Sequence, residues 1–530
     1  RSSRISIDLH SQGQFLATTR ESAGRSRDSR YPGPMLTQTL FLASVFFLLP
    51  NCAQSQEVQG FTDPAPPVVQ TLDPVDSPSP RRTPGLTAHG GPRELAADAI
   101  VEDWPTLLGP RRDGHAIESP LVTEFDQAGP KLVWEQTRGE GYASPSIAEG
   151  RLVFTHREAQ QVHIDCLDPE TGQRYWRRTF PCDYRGDYIK NSGPRSSPTI
   201  VDGVVYVHGV DGRLACLELD TGRTLWTRNT TVDFGVGDDF FGVVSTPLVV
   251  GDLLIQNIGA PKGPSVVAFN RHTGVLEWGA GTKWGPSCAS PILATMQGKE
   301  RLFVIAGGKS RPPTGGLMVM EPENGKLLFE YPFRSNIFAS VNGASPLACG
   351  DSLFLTAAYG VGSAGVGLDE SGTFSELWKS RRGIALEFPT PVYVDDLVYA
   401  IDGVSGRAGA IVSIDPSSGV EKSRESLSFE AQVMIDGEAQ TRMRSVGAGS
   451  ILHAGGVFFV LGDTGMLATI RATESSFEVV SSASLFHAPE TWTAPVISQG
   501  LLYVCQNNPS FDGNSPARLL CYDLRGTNGK

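Results

Sequence analysis

One phrase recurs through most of this chain: a small residue and proline, a short strand, an Asp-Gly-like turn, a second strand, then a third ending at an acidic residue, Thr-Gly, and a closing strand with Trp. Its clearest copy runs from Ser197-Pro198 through Asp202-Gly203 and Asp211-Gly212 to Thr221-Gly222 and Trp226. Equivalent starts fall at Pro145, Pro198, Pro247, Pro291, Pro346, Pro391 and Pro495, with a proline-free copy at Gly449-Ser450. These eight starts lie 44 to 58 residues apart, a spacing that suits four strands of about five or six residues plus their turns. No single copy can bury its own apolar face, so the copies must stack.

The turn chemistry supports this reading, because Gly172, Gly222, Gly274, Gly325 and Gly419 follow Thr, Asn or Ser where tight connections need positive φ. Alternation in Gly203-Val-Val-Tyr-Val-His marks strands with one face more buried than the other. The composition agrees: 59 Gly, 40% hydrophobic and 19% charged residues describe strands punctuated by turns. The fold expected is all-β, an eight-bladed β-propeller of four-stranded antiparallel blades over residues 101–530. The eighth copy ends near Leu524 without its own Trp strand, while Lys131-Leu-Val-Trp-Glu135 stands alone before the first copy. That N-terminal segment is expected to supply the missing outer strand and close the ring.

Upstream, residues 1–55 read as a leader and signal peptide. The apolar run Leu40 to Leu49 is too short to span about 30 Å of hydrocarbon and matches a secretory apolar core before a small-residue cleavage site. The Arg-rich stretch before Met35 is either a long leading region or an upstream extension. Cys52 offers a lipid-anchor site, yet Pro50 and Asn51 before it suit that processing poorly, and a soluble exported protein of the periplasm or cell envelope is the expectation. Residues 56–100 carry eight prolines and few aromatics and read as a disordered linker. A net charge of -12 opposes a phosphate backbone, so nucleic acid is not an expected partner.

The repeats resemble the PQQ-like propeller repeat of quinoprotein alcohol dehydrogenases and of the assembly lipoprotein BamB. The resemblance spans residues 104 to 525 and is nearest to exported planctomycete-type propellers. Trp104-Pro-Thr-Leu-Leu-Gly-Pro-Arg-Arg-Asp-Gly114, Gly193-Pro-Arg-Ser-Ser-Pro198, Tyr359-Gly-Val-Gly362, Glu376-Leu-Trp-Lys-Ser380 and Thr491-Trp-Thr-Ala-Pro495 carry it. It implies the fold strongly and an activity weakly. A quinoprotein dehydrogenase needs calcium, a carboxylate base and a platform for the flat quinone. The adjacent Cys-Cys pair and the Cys-x-x-Cys-His haem site of such enzymes do not occur in this sequence.

The candidate site residues follow from the loops that precede the inner strands. Arg195 can clamp an anionic ligand in the channel or bond carbonyls of a neighbouring blade. Trp492, with Tyr142 and Phe388, can form a stacking surface for a cofactor or partner, or pack the blade tops. Asp238 and Asp239 are the candidate calcium ligands, weighed against a solvated loop. Cys166, Cys216 and Cys521 occupy a slot filled elsewhere by Ala268, Val319 and Ser413, which marks core packing rather than disulfides. Gly360-Val-Gly-Ser-Ala-Gly365 satisfies a dinucleotide pattern but precedes a strand, not a helix. The expected function is a scaffold or ligand-binding propeller using channel-mouth loops to hold a protein partner. The alternative is a PQQ- and calcium-dependent alcohol or sugar dehydrogenase.

Overall fold

The computed structural model describes residues 61–526, apart from 74, 187–190, 238–240, 370, 406, 436–437 and 474–475. The signal-peptide core, Cys52, Asp238 and Asp239 therefore lie outside the described residues. The described strands form eight sheets of four or five strands, and within each the repeat's four strands pair in antiparallel order. Blade 1 comprises Ser146–Ala148, Arg151–Glu158, Gln161–Leu167 and Arg174–Pro181. Blade 2 comprises Thr199–Val201, Val204–His208, Arg213–Glu218 and Thr224–Asn229. Blades 3 to 7 open with Leu248–Val250, Ile292–Met296, Leu347–Cys349, Val392–Val394 and Ser450–Ala454. Blade 8 opens with Val496–Ser498.

Apolar side chains from facing sheets merge into shared clusters. Blades 1 and 2, 2 and 3, 3 and 4, 4 and 5, 5 and 6, and 6 and 7 each share one. A single larger cluster joins blade 7 to blade 8 and blade 8 to blade 1. The succession returns to its start, which makes the fold a β-propeller.

The Trp of the repeat performs the joining. Gly172 of blade 1 lies against Trp134 of blade 8, Gly222 of blade 2 against Trp176 of blade 1, and Gly274 of blade 3 against Trp226 of blade 2. Gly325 meets Trp278 and Gly419 meets Trp378 in the same way. A Cβ at Gly222 would sit 2.4 Å from the Trp176 ring, and φ there is +65°. Glycine is therefore required twice over, by backbone and by contact. The indole N–H also crosses the interface, with Trp134, Trp176, Trp226 and Trp378 donating to the carbonyls of Pro169, Leu219, Arg271 and Pro416 at 2.9, 2.8, 3.0 and 2.7 Å. The acidic residue of the repeat holds the turn that receives the ring: Asp168 Oδ1 accepts from the Thr171 N–H at 2.8 Å and its hydroxyl at 2.9 Å.

Ring closure follows the expected route. Lys131–Thr137 pairs antiparallel with Arg518–Asp523, setting Trp134 opposite Cys521. Residues 61–100, expected to be disordered, differ from that expectation over their described length. Asp63 takes the buried Arg228 guanidinium at 2.6 Å, Val68–Val69 pairs with Trp226 and Thr227, and Leu86–Ala88 pairs with Trp134 to Gln136. Arg93 then reaches Asp523 at 2.8 Å. Outer blade edges present unpaired backbone groups, and a proline-rich chain already extended and free of its own partners can satisfy them. Blade 6 also departs from four strands, because Glu421–Ile435 runs beyond its sheet and pairs with Glu438–Ser445. None of the seven described cysteines forms a disulfide, and the Gly362–Leu368 stretch is a strand.

Three outcomes are expected. Trp226→Ala removes a fully buried ring and should destabilise by about 3–5 kcal/mol, and Gly222→Ala by about 1–3 kcal/mol, in urea denaturation. Deleting the chain up to Glu135 exposes the Arg518–Asp523 edge and should lower the thermal midpoint sharply, and an unchanged midpoint would refute the closure.

Candidate functional site

The repeat's Ser/Thr-Pro start faces the axis of the propeller. Proline has no N–H to leave unpaired on the innermost edge, so it is tolerated there. The hydroxyl before it links blades. Ser144 N donates to Ser197 Oγ at 3.0 Å, Ser197 N to Thr246 Oγ1 at 3.1 Å, and Thr246 N to Ser290 Oγ at 2.9 Å. Ser290 N continues to Ser345 Oγ and Ser345 N to Thr390 Oγ1, both at 3.1 Å. The belt runs from blade 1 to blade 6 and meets blade 8 where Ser144 Oγ donates to the Ala494 carbonyl at 3.0 Å. Ser450 of blade 7 occupies the equivalent position with Ile451 in place of proline, and Ala494 of blade 8 is the copy that places no hydroxyl there.

The segment Trp104–Gly114 crosses one end of this channel. Trp104 exchanges backbone hydrogen bonds with Ile147 of blade 1, and the Pro105 carbonyl accepts from Ile200 of blade 2. Arg112, buried and without a carboxylate partner among the described residues, donates to Thr106 Oγ1 and to the carbonyls of Pro247 and Pro291, at the starts of blades 3 and 4. Burial pushes this guanidinium down to about 9. Across the channel His115–Ala116 pairs in parallel with His453–Ala454 of blade 7. Leu107 and Leu108 thereby become a floor, and the channel a blind cup of about 140 Å³.

Four half-buried rings form the rim. Tyr142 stacks on Trp492 at 5.2 Å between centroids and Trp492 on Phe388 at 5.3 Å, while Phe241 meets Phe388 edge-on at 6.2 Å. Asn507 fixes the middle of this stack, its Oδ1 accepting from Trp492 N at 3.1 Å and its Nδ2 donating to the Gly141 carbonyl at 2.8 Å. The Tyr142 hydroxyl donates to Glu490 at 2.9 Å. Arg195 sits among the rings, its carbon 5.8 Å from the Tyr142 centroid and 5.7 Å from that of Phe241. Both its Nη atoms donate to local carbonyls, Gly193 and Asn191, at 2.9 Å. Burial lowers its pKa. Among the described residues lining the cup it is the only charged one.

The structure thus brings Arg195, Trp492, Tyr142 and Phe388 together around one cavity. Sequence reading missed the hydroxyl belt, Phe241, the half-buried thiol of Cys288 in the wall, and the floor. The recurrent Ser/Thr before proline was a usable signal for the belt. Phe241 and Cys288 carry none, because nothing local distinguishes them from core residues.

Among the described residues, the donor set of the cup does not fit calcium. The described lining offers hydroxyls, one thiol and one guanidinium, with no carboxylate or amide oxygen, whereas calcium takes six to eight oxygens including carboxylates.

These features, a stacked ring of repeats with an inner cup, define a propeller of the PQQ-like type. The family model described as outer membrane protein assembly factor BamB matches residues 118–281 and 262–527, and the chain belongs to that family. BamB of Burkholderia pseudomallei is 24% identical over 339 residues, covering 61% of this chain and 79% of that protein. Quinoprotein ethanol dehydrogenase of Pseudomonas putida is 28% identical over 170 residues, 31% of this chain and 26% of the enzyme. The match therefore spans about a quarter of that relative's length. The quinohemoprotein alcohol dehydrogenase of Comamonas testosteroni aligns with a TM-score of 0.51 at 14% identity, over 81% of this chain and 82% of that one. A europium-containing methanol dehydrogenase aligns at 0.53 and 11% identity, over 80% of this chain and 98% of that one. Both likenesses concern the fold.

The floor carries a pH dependence. His115 and His453 stack at 4.8 Å with their Nδ1 atoms 3.1 Å apart, within hydrogen-bonding distance. Burial, and then the neighbouring His115, hold His453 at about 4, below its ordinary 6.5, against an opposing pull from Asp395. The folded state favours the neutral ring, so its contribution is complete above pH 6.5 and is lost as pH falls toward 4. Urea denaturation should show stability falling across that window by on the order of 2 kcal/mol from His453. His453→Gln should flatten the fall, while buried His208, shifted the same way to about 3, contributes to the slope that remains.

Proposed function

We propose that this protein is an envelope-located, eight-bladed docking propeller that holds a partner through its channel mouth, with an acidic side chain or terminal carboxylate of that partner entering the cup. The observation that carries this is Arg195, a guanidinium fixed by two carbonyls and framed by Tyr142 and Phe241, with no carboxylate partner among the described residues. A half-buried cation with no carboxylate hydrogen-bonded to it among the described residues favours an anion, and the surrounding rings favour an apolar stem. The cup's volume, about 140 Å³, is below the several hundred Å³ of pockets that enclose drug-sized molecules, and suits one side chain.

The rim extends this surface sideways. Phe388 and Trp492 also line an apolar hollow beside blade 6, where Val404 is exposed. Large rings beside apolar hollows are the residues that dominate binding energy at protein interfaces. The family's description as an outer membrane assembly factor supports a partner-holding role, and the apolar run Leu40 to Leu49 supports export. Among the described residues no helix is long and apolar enough to cross a membrane.

The experiment is calorimetry with a short peptide bearing Glu beside an aromatic residue, against its Gln counterpart. The Glu peptide should bind at least about tenfold more tightly. Arg195→Met should erase that difference, and Trp492→Ala should weaken both peptides, with thermal midpoints retained. Equal binding of the two peptides, or no binding, would sink the proposal. The second reading, a quinoprotein dehydrogenase, is favoured by the partial likeness to the ethanol dehydrogenase. PQQ- and calcium-dependent dye reduction with alcohols would establish it in place of the docking role.

A further inference from the structure

A second and larger cavity, of about 600 Å³, lies where the ends of blades 1, 2 and 3 meet. Its volume is that of pockets which enclose small organic ligands. Asp183, Tyr184 and Arg185 enter it from the chain leaving blade 1, Asp211 and Arg213 from a turn of blade 2, and Asn257 from the second strand of blade 3. We propose that this cavity is a binding site for a neutral, polyhydroxylated ligand, a saccharide of one or two rings, separate from the channel cup.

The chemistry of the wall selects that class. Among the described lining residues two carboxylates and two guanidiniums balance, so the wall carries no net charge that would select a ligand of either sign. Carboxylates only accept hydrogen bonds and guanidiniums only donate them. A hydroxyl does both, and a sugar ring carries several on neighbouring carbons. Two wall residues also hold buried polar atoms that the protein does not satisfy. Asn257, 2% exposed, donates its amide to the Ile305 carbonyl at 2.9 Å and leaves Oδ1 without a partner. Arg213, whose carbon lies 5.3 Å from the Phe180 ring centroid, leaves Nε without one. One orphan accepts and the other donates; both atoms are closed to water in the unliganded chain, so a ligand hydroxyl would reach them only after a small side-chain shift. Tyr184 adds a flat apolar face for the C–H side of a ring. A zwitterionic dipeptide would match the charges but would place two ions against four and bear the cost of desolvating both.

The site is built from rigid parts. Asp211 lies in the turn that Gly212 forms at φ +83°, and its Oδ1 accepts from Arg213 N at 3.2 Å. Val244 lines both this cavity and the cup, so the two sites share a wall and not an occupant.

The full chain is titrated calorimetrically with maltose, cellobiose and N,N′-diacetylchitobiose, and with glycylglycine. Saturable binding of at least one disaccharide is expected. Asp183 and Arg185 are solvent-facing, so Asp183→Asn and Arg185→Gln should retain the wild-type thermal midpoint while weakening that disaccharide about tenfold. Asp211→Asn should do the same. Binding of glycylglycine alone overturns the proposal in favour of a zwitterion site. Absence of binding by all three disaccharides, or affinity unchanged in every variant, overturns it outright. The acidic-peptide titration at the cup should be unaffected by Asp183→Asn, which keeps the two sites' outcomes distinguishable.

Discussion

Five of the described blade junctions depend on one repeated contact: an indole laid on a glycine of the next blade, with its N–H donated at four of them to a carbonyl beside that glycine. Burying an indole supplies the apolar area, the missing Cβ supplies the space, and the hydrogen bond fixes the angle of approach. Trp176 on Gly222 and Trp226 on Gly274 show the full arrangement. Where the contact is altered, other packing substitutes. Trp278 lies on Gly325 yet leaves its Nε1 without a partner, and blade 4 presents Phe329 stacked on Phe374 of blade 5 in place of an indole. Since each blade cannot stand alone, each such contact stabilises two sheets at once.

Closure converts that chain of contacts into a ring with an inside. The Lys131–Thr137 strand completes blade 8, and the chain preceding it crosses the channel as Trp104–Gly114 before entering the ring. The same N-terminal region thus covers outer edges, floors the channel and closes the circle. The floor matters for function because it turns a pore into a cup, where one cation and four rings face a small volume in partial shelter from water. An interaction of Arg195 with a carboxylate there is worth more than the same pair on the open surface.

Much of this architecture was legible from residues 104 to 525. The proline starts located the inner strands, the Thr-Gly and Trp positions located the outer ones, and the solitary Lys131-Leu-Val-Trp-Glu135 located the closing strand. Arg195, Trp492, Tyr142 and Phe388 were legible as candidates because each immediately precedes an inner strand, a place that faces the axis in any propeller. The contribution of Phe241 was not legible, since its role comes from Arg195 and Phe388, which lie 46 and 147 residues away in sequence. Residues 61–100 were misread because proline-rich composition reports an inability to form a core, and says nothing about pairing with edges that another part of the chain leaves open.

The sequence by itself determined the repeat, its period, the turns at the repeat's glycines and the sheet each strand of the repeat joins. These are local matters, settled by backbone sterics and by side chains a few residues apart. Only the tertiary structure decided that the hydroxyls before the prolines link into a belt, that Trp104–Gly114 floors the channel, and that three blade ends enclose a second, charge-balanced cavity. Those features arise where segments far apart in sequence are brought within hydrogen-bonding distance, and a pattern read along the chain holds no record of which carbonyl will meet Arg112 or which ring will frame Arg195.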